Sequence, residues 1–115
     1  MRTVILALLL ALGATPAMAE TIAAADAAAH VGQTVTVEGT VSLIHQSAVG
    51  TVFLDIDGIY PANAFTAVIL PADVAKFPEA FGLSGQKVDV TGTIQDYQGK
   101  PEIMLSTAGQ LARAP

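Results

Sequence analysis

The chain has 115 residues, no cysteine, 52% hydrophobic and 13% charged content, and five basic residues against ten acidic ones. That length holds one hydrophobic core and leaves no room for a second. The absence of cysteine excludes a disulfide framework, a thiolate metal centre, a cysteine nucleophile and a lipid-anchored cysteine, and the apolar fraction is too high for a disordered chain.

Arg2 precedes an uninterrupted apolar run, Val4 to Leu12, which Gly13 and Pro16 break. The run is about half of the ~20 residues that a membrane-spanning helix needs. It ends in Ala17-Met18-Ala19, with small residues where signal peptidase requires them. Residues 1–19 therefore read as a Sec-type signal peptide cleaved before Glu20. A retained anchor helix is the competing reading, disfavoured by the short run and the lack of a stop-transfer flank. The expectation is an exported protein of the bacterial periplasm, or of the medium, with a single domain over residues 20–115. That domain keeps four basic residues (Lys76, Lys87, Lys100, Arg113) and all ten acids.

Thr21 is placed to cap a short alanine-rich helix over 21–31, with Gly32 just beyond its end. Alanine favours helix, but so short a helix must dock on something to persist, and Ile22 and Val31 are its large apolar groups. From Gln33 the hydrophobic period changes to two. Val35, Val37, Val41 and Leu43 alternate with threonine, glutamate and serine, which predicts a half-buried strand. The segment GQTVTVEGTV (32–41) returns as GQKVDVTGTI (85–94). A mid-strand glycine is unfavourable unless the strand coils sharply or a neighbouring backbone comes close. Gly39 and Gly92 therefore read as corner glycines on two long strands of a small barrel.

Between those strands, Thr51–Ile56 and Phe65–Leu70 read as strands two and three, joined through the turn Asp57-Gly58. Pro71 to Phe77 reads as a helix that Pro78 interrupts before Phe81-Gly82-Leu83. After strand four, Asp96 to Pro101 is expected to be a hairpin loop and Glu102–Ser106 strand five. Residues 109–115 are expected to form a frayed tail. The fold class that follows is all-β: a five-stranded OB-fold barrel over about 33–108, with a helix between strands three and four and a short N-terminal helix. A β-sandwich, which uses about seven strands, ranks second.

These residues also carry a resemblance. Gly32 to Val41 (G-x-x-V-x-V-x-G-x-V), Thr51 to Ile56 (T-V-F-L-D-I), Tyr60 to Ile69 (Y-P-x-x-x-F-T-A-V-I) and Gly85 to Ile103 (G-x-x-V-x-V-x-G-x-I-x-x-Y-x-G-x-P-E-I) make residues 30–108 similar to a family of small exported bacterial OB-fold proteins. Related modules of that family occur beside secreted nucleases. The resemblance implies a nucleic-acid-binding-like domain. Similar chains tend to have asparagine where this one has Asp55.

OB-folds bind ligands on the face of strands two and three and the flanking loops. Here that face would draw on His45 and Gln46 from the first loop, Phe53 on strand two, Tyr60 and Phe65 around strand three, and Tyr97 and Lys100 from the last loop. Rings can stack on bases and a cation can meet the backbone. Against these roles stand plainer ones: Phe53 and Phe65 in the core, Tyr60 closing an edge with its hydroxyl on backbone, Lys100 as a solvated turn residue. The acidic balance opposes tight, non-specific nucleic-acid binding. Asp55 and Asp57 lie two apart and could share a strand face, but two carboxylates beside Gly58 are more simply turn-formers, and His30 and His45 have no ligand spacing around them. No metal or other cofactor is expected. Nor is catalysis, because G-x-S-x-G, P-loop and H-E-x-x-H motifs are all missing, and Ser42, His45 and Asp55 make no recognisable set. Two functions remain. The first is a non-catalytic periplasmic binding module for single-stranded nucleic acid or another extended ligand, held weakly. The second is a protein-interaction or envelope-stress module with an acidic surface.

Overall fold

The alternation of valine with polar residues produces the longest strand in the molecule. The structure, a computed structural model, describes residues 19–115; the expected signal peptide lies outside them except for Ala19. Eight strands form one sheet: β1 (Thr21–Ala23), β2 (Thr34–Gln46), β3 (Val52–Ile56), β4 (Phe65–Ile69), β5 (Lys87–Thr93), β6 (Gln95–Tyr97), β7 (Lys100–Leu105) and β8 (Leu111–Arg113). Their order is β6-β7-β4-β3-β2-β5-β8, with β1 added on β2. Both halves of β2 are used. Thr34–Thr40 pair antiparallel with β5, and Val41–Gln46 pair antiparallel with β3 after a bulge at Ser42.

Eight strands stand where five were expected, for three reasons. Strand four is divided: β5 pairs with β2, β6 pairs with β7, and only Ile94 separates them. Ile94 is buried; its N–H donates to the Gln33 carbonyl and its own carbonyl accepts from the Gly32 N–H. The segment expected to be an N-terminal helix begins instead as β1, parallel to Thr36–Glu38, and continues as a 3-10 helix over Ala24–His30. Thr21 caps nothing, because a helix starting there would leave Ile22 in solvent, whereas strand pairing buries it. A 3-10 helix has three residues per turn, so Ala24 and Ala27 share the buried face while Val31 stays 46% exposed. The expected frayed tail becomes β8, antiparallel to β5 with Leu111 buried. Gln110 fastens it: its Nε2 donates to the Thr91 and Met104 carbonyls, and its Oε1 accepts from the Ser106 and Thr107 amides.

The expected helix between strands three and four consists of two 3-10 turns, Pro71–Lys76 and Ala80–Gly82, either side of Pro78. The segment buries Phe77, Ala80 and Leu83 and leaves Phe81 outside. The core gathers the inward residues of every long strand, among them Val35, Val37, Leu54, Ile56, Phe65, Ile69, Val90 and Ile103.

On the outer face of the β2–β5 ladder, Thr34 and Thr36 bond hydroxyl to hydroxyl with Thr93 and Thr91, at 2.8 Å each. The next pair on that face is Glu38 opposite Asp89, two like charges facing each other, with the Lys87 ammonium 3.8 Å from Glu38. Burial, reinforced by the Glu38 carboxylate, holds Asp89 above its ordinary value of 3.8, and Lys87 offsets only part of this. The native protein therefore binds this proton more tightly than the unfolded chain does. Stability contributed here is full below pH 3.8 and is lost as pH rises through the raised folded-state value. Asp89→Asn is accordingly expected to raise the urea midpoint at pH 7, and the gain should shrink towards zero in titrations carried down to pH 3.

Candidate functional site

Alternation along three adjacent strands decides which side chains meet on the outer face of the sheet. In register, His45 of β2 lies beside Phe53 of β3, Phe53 beside Val68 of β4, and Val68 beside Met104 of β7. The next row is Asp55, Thr66 and Glu102. Together they floor a concave pocket of about 410 Å³, within the range of small-ligand sites. Tyr60, Tyr97 and Lys100 line its rim. Tyr60 and Tyr97 are 53% and 54% exposed.

Each rim group is fixed by local backbone geometry. Gln98 and Gly99 both have positive φ (52° and 84°), the two-residue turn that matches strand twist in a tight hairpin. Tyr97 and Lys100 are therefore a cross-strand pair rather than loop residues, and Pro101 lies buried within β7. Tyr60 sits on the connection between β3 and β4. Its N–H donates to Asp55 Oδ2 (3.1 Å), and its hydroxyl makes no hydrogen bond with the described residues, contrary to expectation. Asn63 secures the same connection, donating through Nδ2 to the Phe65 carbonyl (2.8 Å) and to Thr66 Oγ1 (2.7 Å). Lys100 Nζ donates to the Asn63 carbonyl at 3.2 Å.

Five of the seven side chains expected on this face, His45, Phe53, Tyr60, Tyr97 and Lys100, line the one pocket. Phe65 and Gln46 do not: Phe65 points into the core, and Gln46 turns to the other face. Strand β2 runs through His45 and Gln46, and neighbours on a strand point to opposite faces. The Gln46 amide turns back to donate to the Gly50 carbonyl. Phe65 thus takes its plainer, core role, but Phe53 is half-buried and its ring stacks on His45, with centroids 4.9 Å apart and planes 14° from parallel. Thr66, Val68, Glu102 and Met104 were missed, because parallel pairing of β4 with β7 joins segments more than thirty residues apart. The period-two pattern of residues 65–69 and 100–105 was the available signal.

Charge on the floor is acidic. Asp55 is 1% exposed, with one oxygen on Tyr60 N–H and the other 3.8 Å from His45 Nε2. Burial pushes the Glu102 carboxyl above the usual carboxylate range. Asp57 leaves this face altogether. Its backbone takes a positive φ of 54°, and its Oδ1 accepts from the Thr40 amide at 2.9 Å. The two aspartates thus cap different amides, and no cluster of three or more potential metal ligands occurs among the described residues. Ser42 Oγ accepts from the Gly58 amide, and His30 bonds to Gln33.

No protein-family model matches the chain, and no curated protein is significantly similar to it. Solved structures are. The Leishmania major Friedlin structure described as an aspartyl-tRNA synthetase superposes with a TM-score of 0.52 at 15% identity, over 82% of this chain and 21% of that one. The asparaginyl-tRNA synthetase of Entamoeba histolytica gives 0.50 at 18% identity, over 88% of this chain and 25% of that one. At such identities the likeness establishes the fold, a mostly β, OB-fold-like domain. This chain spans only about a fifth to a quarter of either synthetase.

Proposed function

We propose that this protein is a non-catalytic, exported OB-fold module that holds single-stranded nucleic acid, or an extended ligand of similar shape, weakly on the face of β3, β4 and β7. In this picture β5 and β6 act as one bent strand, so that five principal strands close into a cylinder and the two short strands are additions. The observation that carries the proposal is the meeting of Phe53, Tyr60, Tyr97 and Lys100 around one pocket. Rings contribute ~1–3 kcal/mol per stacked base, and this contribution tolerates any sequence. The likeness to parts of two proteins named for tRNA supports the same ligand class. Both likenesses cover a minor part of the enzymes, which suits a module that binds rather than reacts. The signal-like features of residues 1–19 support a periplasmic location.

Electrostatics sets the strength. With one lysine on the rim, about one phosphate is neutralised, so log K against log salt should fall with a slope near −0.7. Fluorescence anisotropy with a labelled single-stranded oligonucleotide, at low and high salt, tests this. Saturable binding at low salt is expected, and Tyr97→Ala should weaken it by ~1–3 kcal/mol. Absence of binding at low salt would overturn the proposal.

A further inference from the structure

The floor of the pocket is chemically directional. Asp55, Thr66 and Glu102 stand in one row across three neighbouring strands, spaced about 5 Å from strand to strand. Asp55 is almost wholly buried; its Oδ2 accepts from the Tyr60 N–H, while its Oδ1 accepts no hydrogen bond from a described residue and lies 3.8 Å from His45 Nε2. Asp55 lines the pocket, so its Oδ1 offers the cavity a free acceptor. Thr66 Oγ1 already accepts from Asn63 Nδ2, which leaves its own proton to donate. Glu102, half-buried, adds a second carboxyl with no hydrogen bond among the described residues. The row therefore offers acceptor, donor, acceptor.

On the reading of this face as a single-strand site, we propose that the pocket selects a base bearing an exocyclic amino group, cytosine over uracil, with Asp55 or Glu102 accepting the amino N–H and Thr66 donating to the adjacent ring nitrogen. Cytosine presents N4–H as a donor beside N3 as an acceptor, which complements a carboxylate beside a hydroxyl proton. Uracil presents O4 as an acceptor beside N3–H as a donor. Its O4 would face a carboxylate that has only lone pairs, and the Thr66 hydroxyl could meet its N3–H only by turning its proton away from the base. Carboxylates reading the amino group of cytosine are an established pairing on base edges. Outside the floor, Tyr60 and Tyr97 supply ring faces, and Lys100 at the rim stands where a flanking phosphate would pass.

The test compares labelled oligo-dC with oligo-dU of equal length by fluorescence anisotropy at low salt. Length and charge are then constant, and only the base edge differs. Oligo-dC is expected to bind at least about fivefold tighter. The ratio should collapse towards one in Asp55→Asn, and in Glu102→Gln should Asp55→Asn fail to fold; Thr66→Val should also reduce it. Because the readout is a ratio, a loss of affinity common to both oligonucleotides leaves it unmoved. Equal binding of dC and dU by the unaltered protein would overturn the base preference and leave the single-strand reading standing. Binding of neither would overturn both. A ratio that survives all three substitutions would overturn the assignment to this row.

Discussion

Valine at position 39 or 92 is expected to destabilise the protein by about 3 kcal/mol or more, the upper end of what overpacking a core costs. Neither glycine is needed for an unusual φ. Both are needed for space. A Cβ at Gly39 would lie 2.5 Å from the Ile56 Cγ2 methyl, 3.1 Å from Asp57 Oδ1 and 3.2 Å from the Ala24 Cβ. These atoms come from the end of β3, the turn just after it and the 3-10 helix, so they hem the glycine from two sides. At Gly92 a Cβ would meet the Ile103 Cγ2 methyl at 2.6 Å and Gln110 Nε2 at 3.0 Å, and Gln110 is itself held by two carbonyls. Alanine at either position should cost about 1–3 kcal/mol, valine more. Gly109→Ala is the control, since nothing lies within 4 Å of its added methyl. Urea denaturation would check the series, and midpoints unchanged at both positions would refute the account of the two corners.

Phe77→Ala should be comparably damaging, at about 3–5 kcal/mol, or a fall in Tm of about 12 °C or more for a domain of this size. Phe77 lies between the two 3-10 turns and is fully buried. Those turns have few hydrogen bonds of their own to hold them on the sheet; Lys76 Nζ to the Ser106 carbonyl is one. Their attachment therefore depends on Phe77, Ala80 and Leu83, and removing the largest of the three leaves a cavity under a segment with little else to close it. Phe81→Ala, four residues on and half-exposed, should stay within about 0.5 kcal/mol of the parent. Thermal unfolding of the pair, followed by circular dichroism, separates the two residues cleanly.

What could be read from the chain was what local periodicity encodes. Val35, Val37 and Val41 announced a long strand, and the repeated Gly-Thr of 39–40 and 92–93 marked its twin and the two tight corners. Five pocket residues were named correctly as neighbours because aromatic and polar side chains at strand ends are conspicuous. Elements that depend on a remote partner were hidden. Thr21–Ala23 becomes a strand only because Thr36–Glu38 offers an edge, and Leu111–Arg113 only because Val88–Val90 does. Alanine-rich residues 24–30 favour helix of either kind, and the choice of 3-10 over α follows from which alanines must reach the core. Gln46 adjoins His45 in extended backbone, so strand alternation alone puts the two side chains on opposite faces. The acidic row was out of reach for a different reason. Asp55, Thr66 and Glu102 acquire meaning only when three strands are laid side by side.

Ile94 divides the sheet into two mechanical regimes. Upstream of it the chain is laced to β2, and downstream it belongs to β7 and the side that carries the pocket. At that point the chain is tied back by two main-chain bonds, to residues 32 and 33. Strand β6 takes its ladder from β7 alone, so a substitution that loosens this hairpin would displace Tyr97 and leave the β2–β5 ladder intact.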